Sequence, residues 1–320
     1  MDKRTMRKKM GAYTWALLIY YGIMNLSVSF VTEMALVAEG LQAVIRGGHW
    51  MDFYTGMEQA LESVVYGNAW GYIFASGVAV LLIPLWKGTA FFRGMFETRR
   101  DMTRKDFLQL VCVLLSGQVL VQIIAVVVEL IVNCFGLSAM EAMQMASAGA
   151  DTLSMFLYMG LVAPVVEELI FRGLILRGLM PYGKRFAIMA SSVLFGVFHG
   201  NLIQSPYAFA VGLVLGYTAV EYSITWAMVL HAVNNLVLGD MILRMTAGLP
   251  AIAAELVIWA IILVCTAAAI CILYKNRHII AFRRKDDPID KTVMKAFAWS
   301  LPNWILYLVM GFSAVLMLLV

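Results

Sequence analysis

The sequence predicts an all-α membrane protein, a polytopic bundle of about eight or nine transmembrane helices. Three observations predict it. Of the 320 residues, 62% are hydrophobic and 14% are charged, whereas soluble domains run near ~45–50% and ~25%. Mean hydropathy is +0.82. The apolar residues also fall in runs long enough, or nearly so, to cross ~30 Å of hydrocarbon at ~1.5 Å per residue. Lipid offers no partners to backbone amides, so such runs are helical. The alternating pattern of a transmembrane β-barrel is absent.

The spans lie near 12–36, 69–86, 107–135, 153–180, 186–202, 207–220, 224–243, 251–274 and 298–320. The first follows a basic tail with Lys3, Arg4, Arg7, Lys8 and Lys9. It has no small-residue cleavage site, so it reads as a retained anchor. Between the second and third lie Lys87, Arg93, Arg99, Arg100, Arg104 and Lys105, and the fourth ends on Arg177, Lys184 and Arg185. The sixth is short; tilted or half-buried, it would lower the count to eight. Lys275, Arg277, Arg283, Arg284 and Lys285 separate the last two. The intervening connections are poor in Lys and Arg: 37–68 has Arg46 against Glu39, Asp52, Glu58 and Glu62, and 136–152 has Glu141 and Asp151. The positive-inside rule puts the N-terminus in the cytoplasm and, with nine spans, the C-terminus outside. A bacterial inner membrane is the expected location.

Residues 88–106 and 276–297 read as surface amphipathic helices or solvated loops. The net charge of +4 belongs to the loops and points to no nucleic-acid partner. Cys112, Cys134, Cys265 and Cys271 lack C-x-x-C spacing and read as buried, inert thiols. Trp15, Trp70, Trp86, Trp299 and Trp304 sit near span ends, as in an aromatic belt. Three regions result: 1–150, helices without a motif; 151–245, a core with chemistry; and 246–320, the final helices.

The chemistry begins in "VAPVVEELIFRGLIL", Val162 to Leu176. Each charge placed in lipid resists insertion by roughly 2.5–3.5 kcal/mol, and this stretch carries three. On a helix, Glu168 and Arg172 share a face and can pair, which makes both cheaper to bury. Glu167 is rotated by ~100° from Glu168 and needs another polar partner, a proton or water. Pro164 just upstream could bend the helix. His49 and His278 fall in loops, while His199 and His231 lie in apolar segments. Asn235 follows His231 by one turn on the same face. Counted from the basic ends, Glu167, His199 and His231 reach overlapping depths. Glu129, in "VVVELIV", reads as structural, pairing with Gln122 or another span, or as lining the cavity.

These residues form three motifs in order: EExxxR in "EELIFR" (Glu167, Glu168, Arg172), FxxxH in "FGVFH" (Phe195, His199) and HxxxN in "HAVNN" (His231, Asn235). Over residues 150–240 the chain resembles the CPBP, or Abi, intramembrane proteases, which include the type II CAAX prenyl endopeptidases. The resemblance implies a glutamate-dependent endopeptidase. Glu167 and His199 would activate water, His231 and Asn235 would donate to the oxyanion, and Glu168, Arg172 and Phe195 would support the cavity or bind substrate. It implies as partner a membrane-associated peptide or protein in the lipid bilayer. No cofactor is required, although Glu167, His199 and His231 could supply three ligands to a catalytic metal. The alternative is a non-enzymatic protein, an immunity factor, scaffold or transporter, that uses the same polar cavity for binding.

Overall fold

The computed structural model describes residues 2–141, 152–236, 245–246, 248–277 and 287–319. The described residues form helices and no strand. They are α1 (Lys3–Gly47), α2 (Asp52–Gly67), α3 (Trp70–Lys87), α4 (Thr89–Gly94), α5 (Arg104–Asn133), α6 (Leu153–Tyr182), α7 (Lys184–Phe198), α8 (Gln204–Glu221), α9 (Ile224–Leu236), α10 (Ala251–Lys275), α11 (Lys291–Ala298) and α12 (Leu301–Leu319). Among them α1, α3, α5, α6, α10 and α12 are long and apolar enough to cross a membrane. The protein is an integral membrane helix bundle.

Local chemistry sets the helix ends. The Asp2 carboxylate accepts from Arg4 N at 2.7 Å and Thr5 N at 3.1 Å, capping α1. Thr103 and Thr152 do the same for α5 and α6. The turn from α6 to α7 passes through Gly183 at φ 118°, a conformation side chains resist.

α6 is the axis of the bundle and is wound irregularly. Residues Tyr158–Val162 and Leu169–Leu176 are π-helical, with α-helical Ala163–Glu168 between them. The wider π winding moves side chains off the ordinary helical rows and is common at functional sites. Here it flanks Glu167 and Glu168. α1, α3, α7, α8 and α9 pack around this helix. α7 and α9, of 15 and 13 described residues, are shorter than any of the six long helices, and α8, of 18, only equals α3. Phe171, Leu194, Phe195, Leu215 and Leu230 interlock beneath them.

The two ends of the bundle differ in charge. At one end Lys87 Nζ meets Tyr13 Oη at 3.3 Å, Arg177 donates to Gly94 O, and Lys184 pairs with Glu221 at 2.5 Å. At the other end α1 continues far past its partner helix and returns as α2. The 37–68 segment expected as a loop is therefore the last three turns of α1 plus α2. Gly40 and Gly56 let these helices touch, because a Cβ on either would fall within 3 Å of Phe53 or Ala43.

Two further expectations change. None of the four cysteines is buried: Cys112 and Cys265 are half-buried and face each other between α5 and α10, and Cys134 and Cys271 are exposed on helix flanks. In a bundle solvated by lipid, an apolar run does not imply an interior position. Glu129 neither lines the cavity nor pairs with Gln122. Its carboxylate accepts from Ser138 Oγ at 2.8 Å, Ala139 N at 2.8 Å and Met140 N at 3.0 Å, holding the turn after α5. His278 lies outside the described residues.

Candidate active site

The three motifs meet at mid-height of α6. The Glu168–Arg172 pair forms as its spacing predicts, with Oε1 3.0 Å from Nη1 and both side chains 0% exposed. Arg172 Nη2 also donates to Gly212 O on α8 at 3.2 Å. Its guanidinium lies 4.4 Å from the centre of the Phe195 ring, a cation–π contact strengthened by exclusion of water.

His231, on α9, sits between the two glutamates. Its Nδ1 is 3.0 Å from Glu168 Oε1, and its Nε2 is 3.8 Å from Glu167 Oε2. A carboxylate paired with Arg172 is an acceptor, so Nδ1 carries the hydrogen. Glu168 thereby fixes the ring and turns Nε2 towards Glu167, as a carboxylate orients a functional imidazole. Glu168 is sealed, but the Glu167 side chain keeps 19% of its exposure. Two adjacent carboxylates thus occupy different environments.

His199 caps the C-terminal end of α7, before Gly200 at φ 57°. Its Nδ1 lies 2.8 Å from Phe195 O. A carbonyl can only accept, so Nδ1 is the donor and the neutral ring presents an unprotonated Nε2. Glu167 is close enough to His199 to interact electrostatically. The Phe195 ring stands edge-on to both imidazoles, 4.8 Å from His199 and 5.6 Å from His231. Phe195 is 1% exposed, so it is a wall that sets the spacing of the two histidines.

Asn235 Nδ2 donates to Met159 O at 2.9 Å, in the first π-helical stretch. An amide nitrogen has two hydrogens, so one remains. Asn234 donates to Asn235 Oδ1 at 3.3 Å and accepts from Tyr207 Oη at 2.9 Å; Tyr207 Oη in turn accepts from Gln118 at 3.2 Å. This support reaches α8 and α5. Tyr20 and Tyr158 also lie within electrostatic reach of Glu167. Motif spacing gave no sign of these tyrosines, since a tyrosine in a span reads as an interfacial residue.

An apolar groove of about 600 Å³ between α1, α3 and α6 is lined by Trp15, Ile19, Tyr20, Leu82, Ile170 and Leu174, among others. Ile170 and Leu174 follow Glu167 by three and seven residues. Among the described residues no three His, Cys, Asp or Glu side chains cluster as ligands for one ion.

Residues 149–237 match the family model described as type II CAAX prenyl endopeptidase Rce1-like. No curated protein and no solved structure matched the chain. The matched stretch contains every motif residue discussed above and the whole of α6 to α9. Across residues 149–237, therefore, the chain is similar to the Rce1-like type II CAAX prenyl endopeptidases, and this match supports membership of that family.

Proposed function

We propose that the protein is an intramembrane endopeptidase that hydrolyses a peptide bond of a membrane-associated peptide or protein. The observation that carries this reading is the split between the two glutamates. Glu168 is consumed by Arg172 and His231, while Glu167 is partly open, 3.8 Å from His231 Nε2 and within electrostatic reach of His199.

Glu167 takes a proton from water, and His199 Nε2 shares that work as the second base. The hydroxide adds to the scissile carbonyl carbon. Negative charge on its oxygen is met by the free amide hydrogen of Asn235 and by His231 Nε2–H when that ring is doubly protonated. Protonated His231 and Arg172 then balance Glu167 and Glu168. The proton held by Glu167 passes to the departing nitrogen, the C–N bond breaks, and a carboxylic acid and an amine result. Fixed donors in a dry site are worth about 3–4 kcal/mol each in such steps. The groove beside Ile170 and Leu174 offers room for apolar parts of the substrate.

The mechanism uses no metal. The orientation we adopt places the basic end, with Lys87, Arg177 and Lys184, and hence the N-terminus, in the cytoplasm of a bacterial cell. The test is a quenched peptide library, prenylated and unprenylated, incubated with purified wild type and Glu167→Gln, with and without chelator. Cleavage by wild type alone, unaffected by chelator, is the expected result. Equal cleavage by both proteins removes the mechanism. Loss of cleavage with chelator, restored by a divalent ion, replaces it with a metal-dependent one. Peptide binding without cleavage favours the scaffold reading.

A further inference from the structure

Among the described residues, the α1–α2 hairpin carries an unpartnered apolar stripe beyond the bundle. The level of the membrane surface can be read from α3, whose first residues, Trp70 and Gly71, mark its end. A Cβ on Gly71 would lie 2.6 Å from Val28 Cα, so α1 passes that level at Val28. Gly47 lies about 28 Å further along at ~1.5 Å per residue. The 16 residues of α2 lead back down. The hairpin therefore stands in water, beyond the hydrocarbon.

Phe30, Met34, Val37, Leu41 and Ile45 project from that part of α1. They are 65%, 53%, 37%, 47% and 82% exposed. Their spacing of four, three, four and four confines them to a stripe roughly 100° wide or less. Lipid explains exposed apolar residues on α5 or α10, but not here. A stripe of this size in water marks an interaction surface.

Charge selects the partner. Between Ser29 and Ala69 the hairpin carries Glu33, Glu39, Asp52, Glu58 and Glu62 against one basic side chain, Arg46. Glu33 falls on the edge of the stripe, and Glu58 and Glu62 are exposed on α2. A second copy of this chain would bring carboxylates against carboxylates. An anionic lipid surface would be repelled in the same way. An apolar stripe with an acidic border fits a helix with an apolar face and a lysine- or arginine-rich rim.

The hairpin is also tied to the catalytic helix. Gly67 O, at the end of α2, accepts from Thr152 Oγ1 at 2.7 Å and Ser154 Oγ at 3.0 Å, at the start of α6. A ligand on the hairpin thus sits over the end of the helix that holds Glu167.

We infer that the α1–α2 hairpin is a docking surface for a cationic amphipathic helical peptide. The inference concerns binding, and it stands or falls independently of hydrolysis. The experiment uses the full chain in nanodiscs of zwitterionic lipid, which leave both faces open and remove any dependence on orientation. The probe is a labelled Lys/Leu amphipathic helical peptide, with its Glu/Leu counterpart as control and empty discs as background. The Lys/Leu peptide is expected to bind above background and to weaken with salt. Binding should fall about tenfold or more in Leu41→Ser/Ile45→Ser and in Glu58→Lys/Glu62→Lys. Both double variants alter exposed positions and should keep the wild-type melting temperature. Equal binding by wild type and variants, or of the Glu/Leu peptide, overturns the inference. A signal no greater than empty discs does so in favour of lipid. Wild-type dimers lost in Leu41→Ser/Ile45→Ser do so in favour of a second copy.

Discussion

Glu168 Oε1 meets His231 Nδ1 and Arg172 Nη1, each at 3.0 Å. One oxygen therefore neutralises a buried cation and aims a histidine. Glu168→Ala leaves the Arg172 guanidinium in the interior with the Gly212 carbonyl and the Phe195 ring but no paired carboxylate. Breaking a buried pair in this way costs about 3–5 kcal/mol. A markedly lower unfolding temperature in detergent is expected, together with loss of activity. Unchanged thermal stability would show that water reaches Arg172 and that the pair is not structural.

Glu167→Gln should behave in the opposite way. Glu167 has no close cation other than the His231 edge at 3.8 Å, so the fold does not depend on its charge. Turnover should fall about 10²–10⁴-fold, the contribution of a positioned general base, at unchanged unfolding temperature. Retention of more than about a tenth of the activity would move the base elsewhere.

The two asparagines should separate. Asn235→Ala removes the spare amide donor and should lower kcat about 10²–10³-fold with little change in KM. Asn234 points its oxygen at Tyr207, away from the reacting carbonyl, so Asn234→Ala should lower kcat less than about tenfold. Steady-state kinetics on one peptide substrate settles the order.

Gly196 tests how tightly α7 must seat. A Cβ there would lie 2.7 Å from Ser205 O and 2.9 Å from Phe209 Cβ. Gly196→Ala should push α7 from α8, costing about 1–3 kcal/mol. Because His199 follows three residues later, activity should fall further than stability alone explains. Gly77→Ala, with open space around the added carbon, should be neutral by the same thermal and kinetic measurements.

Much of the site was legible because charge in lipid has so few explanations. Glu168 and Arg172 lie four apart, and one helical turn brings them together. The histidines were legible as depths, and the fold carries them to the same layer. Their roles were not, because the tautomers depend on Phe195 O and Glu168, contacts that no spacing encodes. The hairpin reads as a loop from residue 37 because Glu39, Arg46 and the acidic residues of α2 interrupt the hydropathy after the first span. A helix that leaves the membrane keeps its backbone periodicity while its mean hydropathy falls. Glu129 gained its place only when the chain turned back at Ser138.

The hydroxyl of Thr14 donates to Asn303 Oδ1 at 2.6 Å, across a sequence separation of 289. Both side chains are fully buried. During synthesis α12 follows α1, so at ~5–20 residues per second the hydroxyl waits tens of seconds for its acceptor. Over that interval α1, which walls the groove through Trp15, Ile19 and Tyr20, is not yet fastened. The groove along Ile170 and Leu174 is therefore completed only when the ribosome has delivered Asn303.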